Sequence, residues 1–260
     1  MTRGPSFAGS FYPSDPHQLQ AMVLDFLAKA SLAKLPSKPA AVVVPHAGYQ
    51  FSGSTAAFGY RFLRECGHTN KTWRVWLVGP SHRVLVPLDK ALSQDFSAWN
   101  SPLGEVLISE CPDQPYFLLN NQVHQVEHSL EVQVPFLQTI FSKFSILPLL
   151  INSSSLAVYG AVFNEWDQEN DLLVVSADLS HYLPQNQAEM VDNVSSAIIE
   201  SLALEDLFKV NSCGAAGIGL AIYLAQKLGW SVQRLAYGTS AASTGDCSSV
   251  VGYGCWGFFS

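Results

Sequence analysis

The sequence predicts a single-domain α/β sandwich over residues 1–260, with a central mixed, largely parallel sheet flanked by helices. Three observations lead there. Apolar runs such as "AAVVVP" and "DLLVVSA" carry no polar alternation, which is how strands covered on both faces read. Amphipathic stretches of helical period lie between them, so strand and helix alternate along the chain. The chain also has 260 residues, 48% hydrophobic and 13% charged, enough to enclose a sizeable core.

The elements follow in order. "SDPHQLQAMVLDFLAKA" (14–30) reads as a helix capped by Asp15, with Pro16 at the first helical position and Gln18 placed to close a capping box. Leu19, Met22, Val23, Phe26 and Leu27 share one face of it. "AAVVVP" (40–45) is a strand, and "SGSTAAFGYRFLREC" (52–66) returns to helix with Ser52 or Ser54 as its cap. "RVWLVG" (74–79) is strand, "EHSLEVQVPFLQTIF" (127–141) helix, and "FSILPLLI" (144–151) strand. "SLAVYGAVFNEW" (155–166) is helix and "DLLVVSA" (171–177) strand. "NQAEMVDNVSSAIIESL" (186–202) and "GAAGIGLAIYLAQKLG" (214–229) are further helices. "WSVQRLAYGTS" (230–240) and "SSVVGYGCWGFF" (248–259) are late strands, the second ending the chain inside the sheet. Residues 83–126, broken by Pro87, Pro102, Pro112 and Pro115, read as long loops with short strands on a functional rim. No repeat or linker divides the chain.

Composition excludes several function classes. The net charge is −7 and no basic run occurs, which argues against nucleic acid and anionic membrane surfaces. No cationic segment precedes an apolar stretch at the start, and no run approaches membrane-span length, so no membrane insertion and a cytoplasmic location are expected. The cysteines are Cys66, Cys111, Cys213, Cys247 and Cys255. Their odd number, wide spacing and lack of a CxxC pair suggest neither a disulfide framework nor a zinc knuckle, and most read as small buried hydrophobes.

In an open α/β sheet, ligands gather outside the carboxyl ends of the strands. His46 follows "AVVVP", His82 follows "VWLVGPS", and Asp178 and His181 follow "LLVVSA". One loop histidine is most simply a structural hydrogen-bonding residue. Three at equivalent topological positions point to a metal or acid–base site. The segment "QVEHSLEVQVPF" adds His128. Its carboxylates Glu127 and Glu131, four apart on one helix face, are most simply a solvated acidic helix start. Val126, Leu130, Val134 and Leu137 mark a buried stripe with His128 at its edge. Cys213, in "NSCGAAGIGLAIYLA", precedes a helix start whose N–H groups favour a thiolate. Alone it reads as a buried cysteine beside tightly packed glycines; next to converging histidines it makes a His₂Cys site for Zn, Cu or Fe reasonable.

Two other patterns fail. The glycines of "CGAAGIG" follow no strand of a βαβ unit with a downstream acid, so they are not a dinucleotide fingerprint. "GPSHR" sets serine beside histidine but lacks a GxSxG elbow, which counts against a serine hydrolase.

Seven segments, "AGSFYP", "PHAGYQFSGSTAA", "GPSH", "EHSLEVQVPFL", "SADLSHY", "CGAAGIG" and "TGDCSSVVGY", resemble the Memo family, including its prokaryotic members of the AmmeMemoRadiSam group. They run co-linearly from about residue 8 to the C-terminus. The resemblance implies a fold similar to that of class III extradiol dioxygenases, the non-haem iron enzymes that open catechol rings. It implies His46 and His82 as metal ligands, with Cys213 where the dioxygenases carry a carboxylate. By the same resemblance His128 and His181 act in acid–base steps and substrate binding, and Asp178 orients an imidazole. Two features depart from those patterns. Cys213 alters the facial triad of non-haem Fe(II) oxygenases and shifts the balance toward copper or zinc. "CGAAGIG" also lacks the arginine and proline of the CGRxPIG form common in Memo-like sequences.

The leading expectation is thus a metal-dependent redox protein holding Fe(II) or copper, with zinc as the further candidate. A non-catalytic module binding a small molecule or a phosphopeptide in the same pocket is the second, and a zinc-dependent hydrolase the third. Radical-SAM and AMMECR-like partner proteins are implied by the family grouping alone.

Overall fold

The computed structural model describes residues 1–32, 38–66 and 71–260. In chain order the elements are β1 (Thr2–Arg3), α1 (Pro16–Lys29), β2 (Pro39–Val44), α2 (Tyr49–Cys66) and β3 (Trp73–Gly79). Short strands follow: β4 (Ala91–Ser93), β5 (Ala98–Ser101), β6 (Gly104–Ile108) and β7 (Phe117–Leu119). Next come α3 (Asn121–Val126), a 3₁₀ turn (Glu131–Gln133), α4 (Val134–Ile140), β8 (Phe144–Leu150), α5 (Leu156–Asn164) and β9 (Asp171–Ser176). The chain ends with β10 (His181–Leu183), α6 (Gln185–Glu200), a 3₁₀ segment (Leu204–Lys209), α7 (Ala215–Leu228), β11 (Ser231–Thr239), α8 (Ala241–Thr244) and β12 (Val250–Phe259).

The described strands form one twelve-stranded sheet in the order β1-β5-β6-β8-β3-β9-β2-β12-β10, with β11 against β12 and β4 and β7 attached beside β8. Its centre, β8-β3-β9-β2, is parallel, and β12 joins β2 antiparallel. The mixed, largely parallel α/β architecture expected from the sequence is therefore present. Both faces of the central strands are covered, which explains their continuous apolar runs. Val42, Val44, Val75, Leu77 and Val174 pack beneath α1, α2 and α4. Ala41, Val43, Trp76, Val78 and Val175 pack on the opposite face, against α5, α6 and α7.

Local signals hold where they are short-range. Asp15 caps α1 by accepting from the Gln18 amide at 2.8 Å, and Leu19, Val23 and Leu27 are buried. β12 lies inside the sheet, between β11 on one side and β2 and β10 on the other.

Other local readings do not. α2 starts at Tyr49, so Ser52 and Ser54 lie inside the helix, and the Ser52 hydroxyl donates back to the Ala47 carbonyl at 2.9 Å. The helix expected from residue 127 breaks apart: Glu127 is extended (φ −105°, ψ 130°), and regular helix resumes at Val134. Val126 is 44% exposed and leaves the expected buried stripe, whereas Leu130, Val134 and Leu137 are buried. The preceding α3 was not anticipated; Asn120 caps it. The short strands expected within residues 83–126 are β4 to β7, and they join the sheet, β6 pairing with β8 and β5 with β6. Among the described cysteine side chains, all four are free and only Cys255 is buried; Cys111 and Cys213 are half-buried and Cys247 is exposed. The Cys66 side chain lies outside the described residues. Among the described residues, no helix is long and apolar enough to cross a membrane.

Candidate metal centre

β2, β3 and β9 are neighbours running the same way, with Val44 opposite Ser176 and Val78 opposite Val175. Their carboxyl ends therefore open on one edge. His46 leaves β2 two residues past its end, His82 leaves β3 three residues past its end, and Asp178 follows β9 at the same edge. The turn at 127–130 folds onto this edge and brings His128. It approaches so closely that a Cβ on Gly79 would lie 2.8 Å from the Leu130 side chain and 3.2 Å from Ser129 Oγ.

One ring nitrogen each of His46, His82 and His128 lies within 4.8 Å of those of the other two, a group able to hold a metal ion. Ring centroids are 5.1 Å apart for His46 and His82, 5.5 Å for His46 and His128, and 4.7 Å for His82 and His128. Cys213 Sγ is 3.4 Å from His46 Nε2 and 3.6 Å from the Asp178 carbonyl. His46, His82 and Cys213 lie together, and His128, rather than the strand-end His181, joins the two histidines directly. His181 stands outside this group. It lies in β10, paired with Val251, and faces two clefts.

Asp178 reaches His46 mainly through the main chain. Its Oδ1 accepts the His46 amide N–H at 2.7 Å, while Oδ2 is 3.9 Å from Nε2. Burial pushes its carboxyl above the usual range. Glu127 is the residue that the sequence reading misplaced. It is 2% exposed rather than solvated, and it accepts from the His82 amide at 2.7 Å and the Ser129 amide at 2.9 Å. Its Oε1 lies 3.0 Å from His82 Nδ1 and 3.2 Å from His128 Nδ1. Burial opposes its ionisation, but the ring and main-chain N–H groups of His82 and the amide of Ser129 outweigh it and bring it down to about 2. Glu131 is also buried, and it serves the fold: it pairs with Arg3 at 2.5 Å and accepts from Tyr12 and the amides of Ser6 and Phe7.

Burial, then the neighbouring charge of His82, lowers His46 to about 3, and burial with His46 beside it lowers His128 to about 4. Both rings are neutral at physiological pH, as metal ligation requires. Burial and the Asp178 charge push the Cys213 thiol well up, although its own amide and that of Gly214 work the other way. The helix-start N–H groups therefore do not make Cys213 a thiolate by themselves. A cation at the site would supply the missing charge.

Two clefts flank the centre. One, of about 450 Å³, is walled by Phe11, Phe51, Tyr182 and Tyr253 and reaches His128 and Asp178. The other, of about 580 Å³, runs past His82, Asn211 and Cys213. His181 lines both.

A family model described as "Memo-like protein" matches residues 3–256. MEMO1 family proteins of Aquifex aeolicus and Sulfolobus acidocaldarius are each 34% identical to this chain, aligning over 96% and 97% of it and 97% and 98% of their own lengths. A MEMO1 family protein of Thermoplasma volcanium is 30% identical over 97% of both chains.

Proposed function

The chain belongs to the Memo family, and from that premise we propose that it is a metal-dependent redox protein whose Fe(II) or copper ion is held by His46, His82 and Cys213. One observation carries this reading. Three imidazoles from separate parts of the chain bring a nitrogen each within 4.8 Å, and a thiol sits 3.4 Å from one of them. Imidazole with thiolate is a donor set that suits copper, zinc and iron alike. His128 is close enough to complete the set as well.

A bound ion would supply redox or Lewis-acid chemistry at this point. The chain's own residues do the rest. His181, facing both clefts, is placed to pass a proton to or from a ligand in either. His128 turns its ring toward Phe11, 4.5 Å from its centroid, where it can do the same for a ligand in the aromatic cleft. Asp178 holds His46 in place through its amide. A small molecule or a peptide side chain would enter along the aromatic walls.

Anaerobic purification with metal quantification tests the proposal on the wild type, His46→Ala and Cys213→Ser. Stoichiometric iron or copper in the wild type, lost in both variants, is the expected result. No metal under any loading condition would sink it and favour a binding module, and zinc alone would favour a hydrolase. Oxygen uptake with a catechol panel is expected to be negative, because Cys213 stands where the facial triad has a carboxylate.

A further inference from the structure

We infer that Glu127 is the positioning residue of this centre, one carboxylate oxygen taking the Nδ1–H of both His82 and His128 so that both rings present a bare Nε2. The inference rests on the metal-binding reading above and extends it to a residue outside the ligand set.

An ionised carboxylate only accepts hydrogen bonds. Three hydrogen bonds and one further close contact converge on that of Glu127: His82 Nδ1 at 3.0 Å and the Ser129 amide at 2.9 Å on Oε1, the His82 amide at 2.7 Å on Oε2, and His128 Nδ1 lying 3.2 Å from Oε1. A neutral imidazole has one N–H. Each ring that directs it to Glu127 therefore carries its lone pair on Nε2. The two rings stack at 24°, and Nδ1 of each lies close to the same carboxylate oxygen.

His46 acquires the same polarity by a separate route. The Ser176 hydroxyl donates to the Ser129 carbonyl at 2.6 Å and so has no hydrogen left for His46. It can only accept, from His46 Nδ1 at 3.0 Å and from Gln133 Nε2 at 2.8 Å. Gln133 is fixed in turn, since it donates to the Pro45 carbonyl and its Oε1 accepts from the Tyr60 hydroxyl. Two networks, one anionic and one neutral, meet only at Ser129 and leave three bare Nε2 atoms.

His124 shows that this polarity is not a default of the local fold. Its Nε2 faces the Leu92 carbonyl at 3.0 Å, and its buried Nδ1 has no hydrogen-bond partner. It is arranged the opposite way and joins no metal group. Partners of ligand histidines of the Glu127 kind fix tautomer and orientation, and losing one weakens metal binding by about 10–100-fold.

The test uses Glu127→Leu, which keeps the bulk and removes the acceptor, with Glu127→Gln as the second variant. Long-range proton–nitrogen NMR of the metal-free protein at neutral pH should show Nδ1–H tautomers for His82 and His128 in the wild type. In Glu127→Leu both should move toward the Nε2–H form, while His46 keeps its Nδ1–H. Competition titrations with Cu(II) and Zn(II) should show an affinity about 10–100-fold lower. Glu127→Gln should recover part of both effects, because its carbonyl can still accept from the rings; it also serves if the leucine variant does not fold. Nε2–H tautomers at His82 and His128 in the wild type would overturn the inference. So would tautomers in Glu127→Leu unchanged from the wild type, whatever the affinity, or a Glu127→Gln protein in which neither tautomers nor affinity change. A wild type that binds no metal yet loses its Nδ1–H tautomers in Glu127→Leu overturns the metal reading and leaves the role of Glu127 standing.

Discussion

At the scale of single residues, position in the sequence and position in the network part company. His124 and His128 are four residues apart, yet the first is a structural donor beneath the sheet edge and the second faces the cleft. Burial lowers His124 from 6.5 to about 4. The unfolded chain takes up this proton as pH falls through 6.5, whereas the folded chain refuses it until about 4. Its contribution to stability is therefore complete above pH 6.5 and is lost as pH drops toward 4. His124→Gln, which keeps a donor for Leu92 and cannot titrate, should flatten the acid side of the metal-free stability profile by up to about 1.4 kcal/mol per pH unit. Urea titrations at pH 7, 5.5 and 4.5 check it. Arg3 makes a comparable point. Its fully buried guanidinium pairs with Glu131 and lies 4.5 Å over the Trp99 ring. Arg3→Met leaves a buried carboxylate facing only neutral donors and should cost about 3–5 kcal/mol by denaturant unfolding. A basic residue near the start of a chain reads as solvated; only its partner 128 positions on makes it core.

At the scale of elements, close approach explains what the residue types alone did not. The glycines of "CGAAGIG" are not a nucleotide loop. Gly214 and Gly217 let α7 lie against β9: a Cβ on Gly214 would come 2.4 Å from Ala177 Cβ and 2.9 Å from the Ser176 carbonyl, and one on Gly217 2.8 Å from Val175. Gly214→Ala should shift the start of α7, costing about 1–3 kcal/mol. It should also weaken metal binding, because Cys213 precedes the shifted turn. Thermal melts and metal titration on the same variant measure the two effects. Strands β2, β3 and β9 were legible because burial on both faces leaves an unbroken apolar run, a signal contained in a few consecutive residues. The broken helix at 127–133 was not. Glu127 leaves helical geometry to accept bonds at His82, 45 residues away, and no local propensity encodes that. Its periodicity suggested a solvated face, and the buried network overrode it.

At the scale of the whole molecule, the terminal strand is interior. β12 pairs with β11 along its length and with β2 and β10 on its other side, so it bridges the parallel centre to the strand carrying His181. Deleting residues 250–260 should abolish cooperative unfolding, because β10 and β11 lose their strand partner and β2 loses one of its two. Circular dichroism and a denaturant melt would show it, and a truncated chain that still unfolds cooperatively would contradict the topology. The sequence by itself determined the alternation of strand and helix, the sheet with two covered faces, and the family. It also determined that His46, His82, Asp178 and His181 follow the carboxyl ends of strands, since these depend on runs and spacings within short windows. The tertiary structure alone decided that Glu127 is buried between two histidines, that His128 rather than His181 joins His46 and His82, and that burial pushes the Cys213 thiol up beside His46. Those outcomes depend on hydrogen bonds and desolvation among residues tens to more than a hundred positions apart, where the free energy of a buried charge is set by its partners and not by its neighbours in sequence.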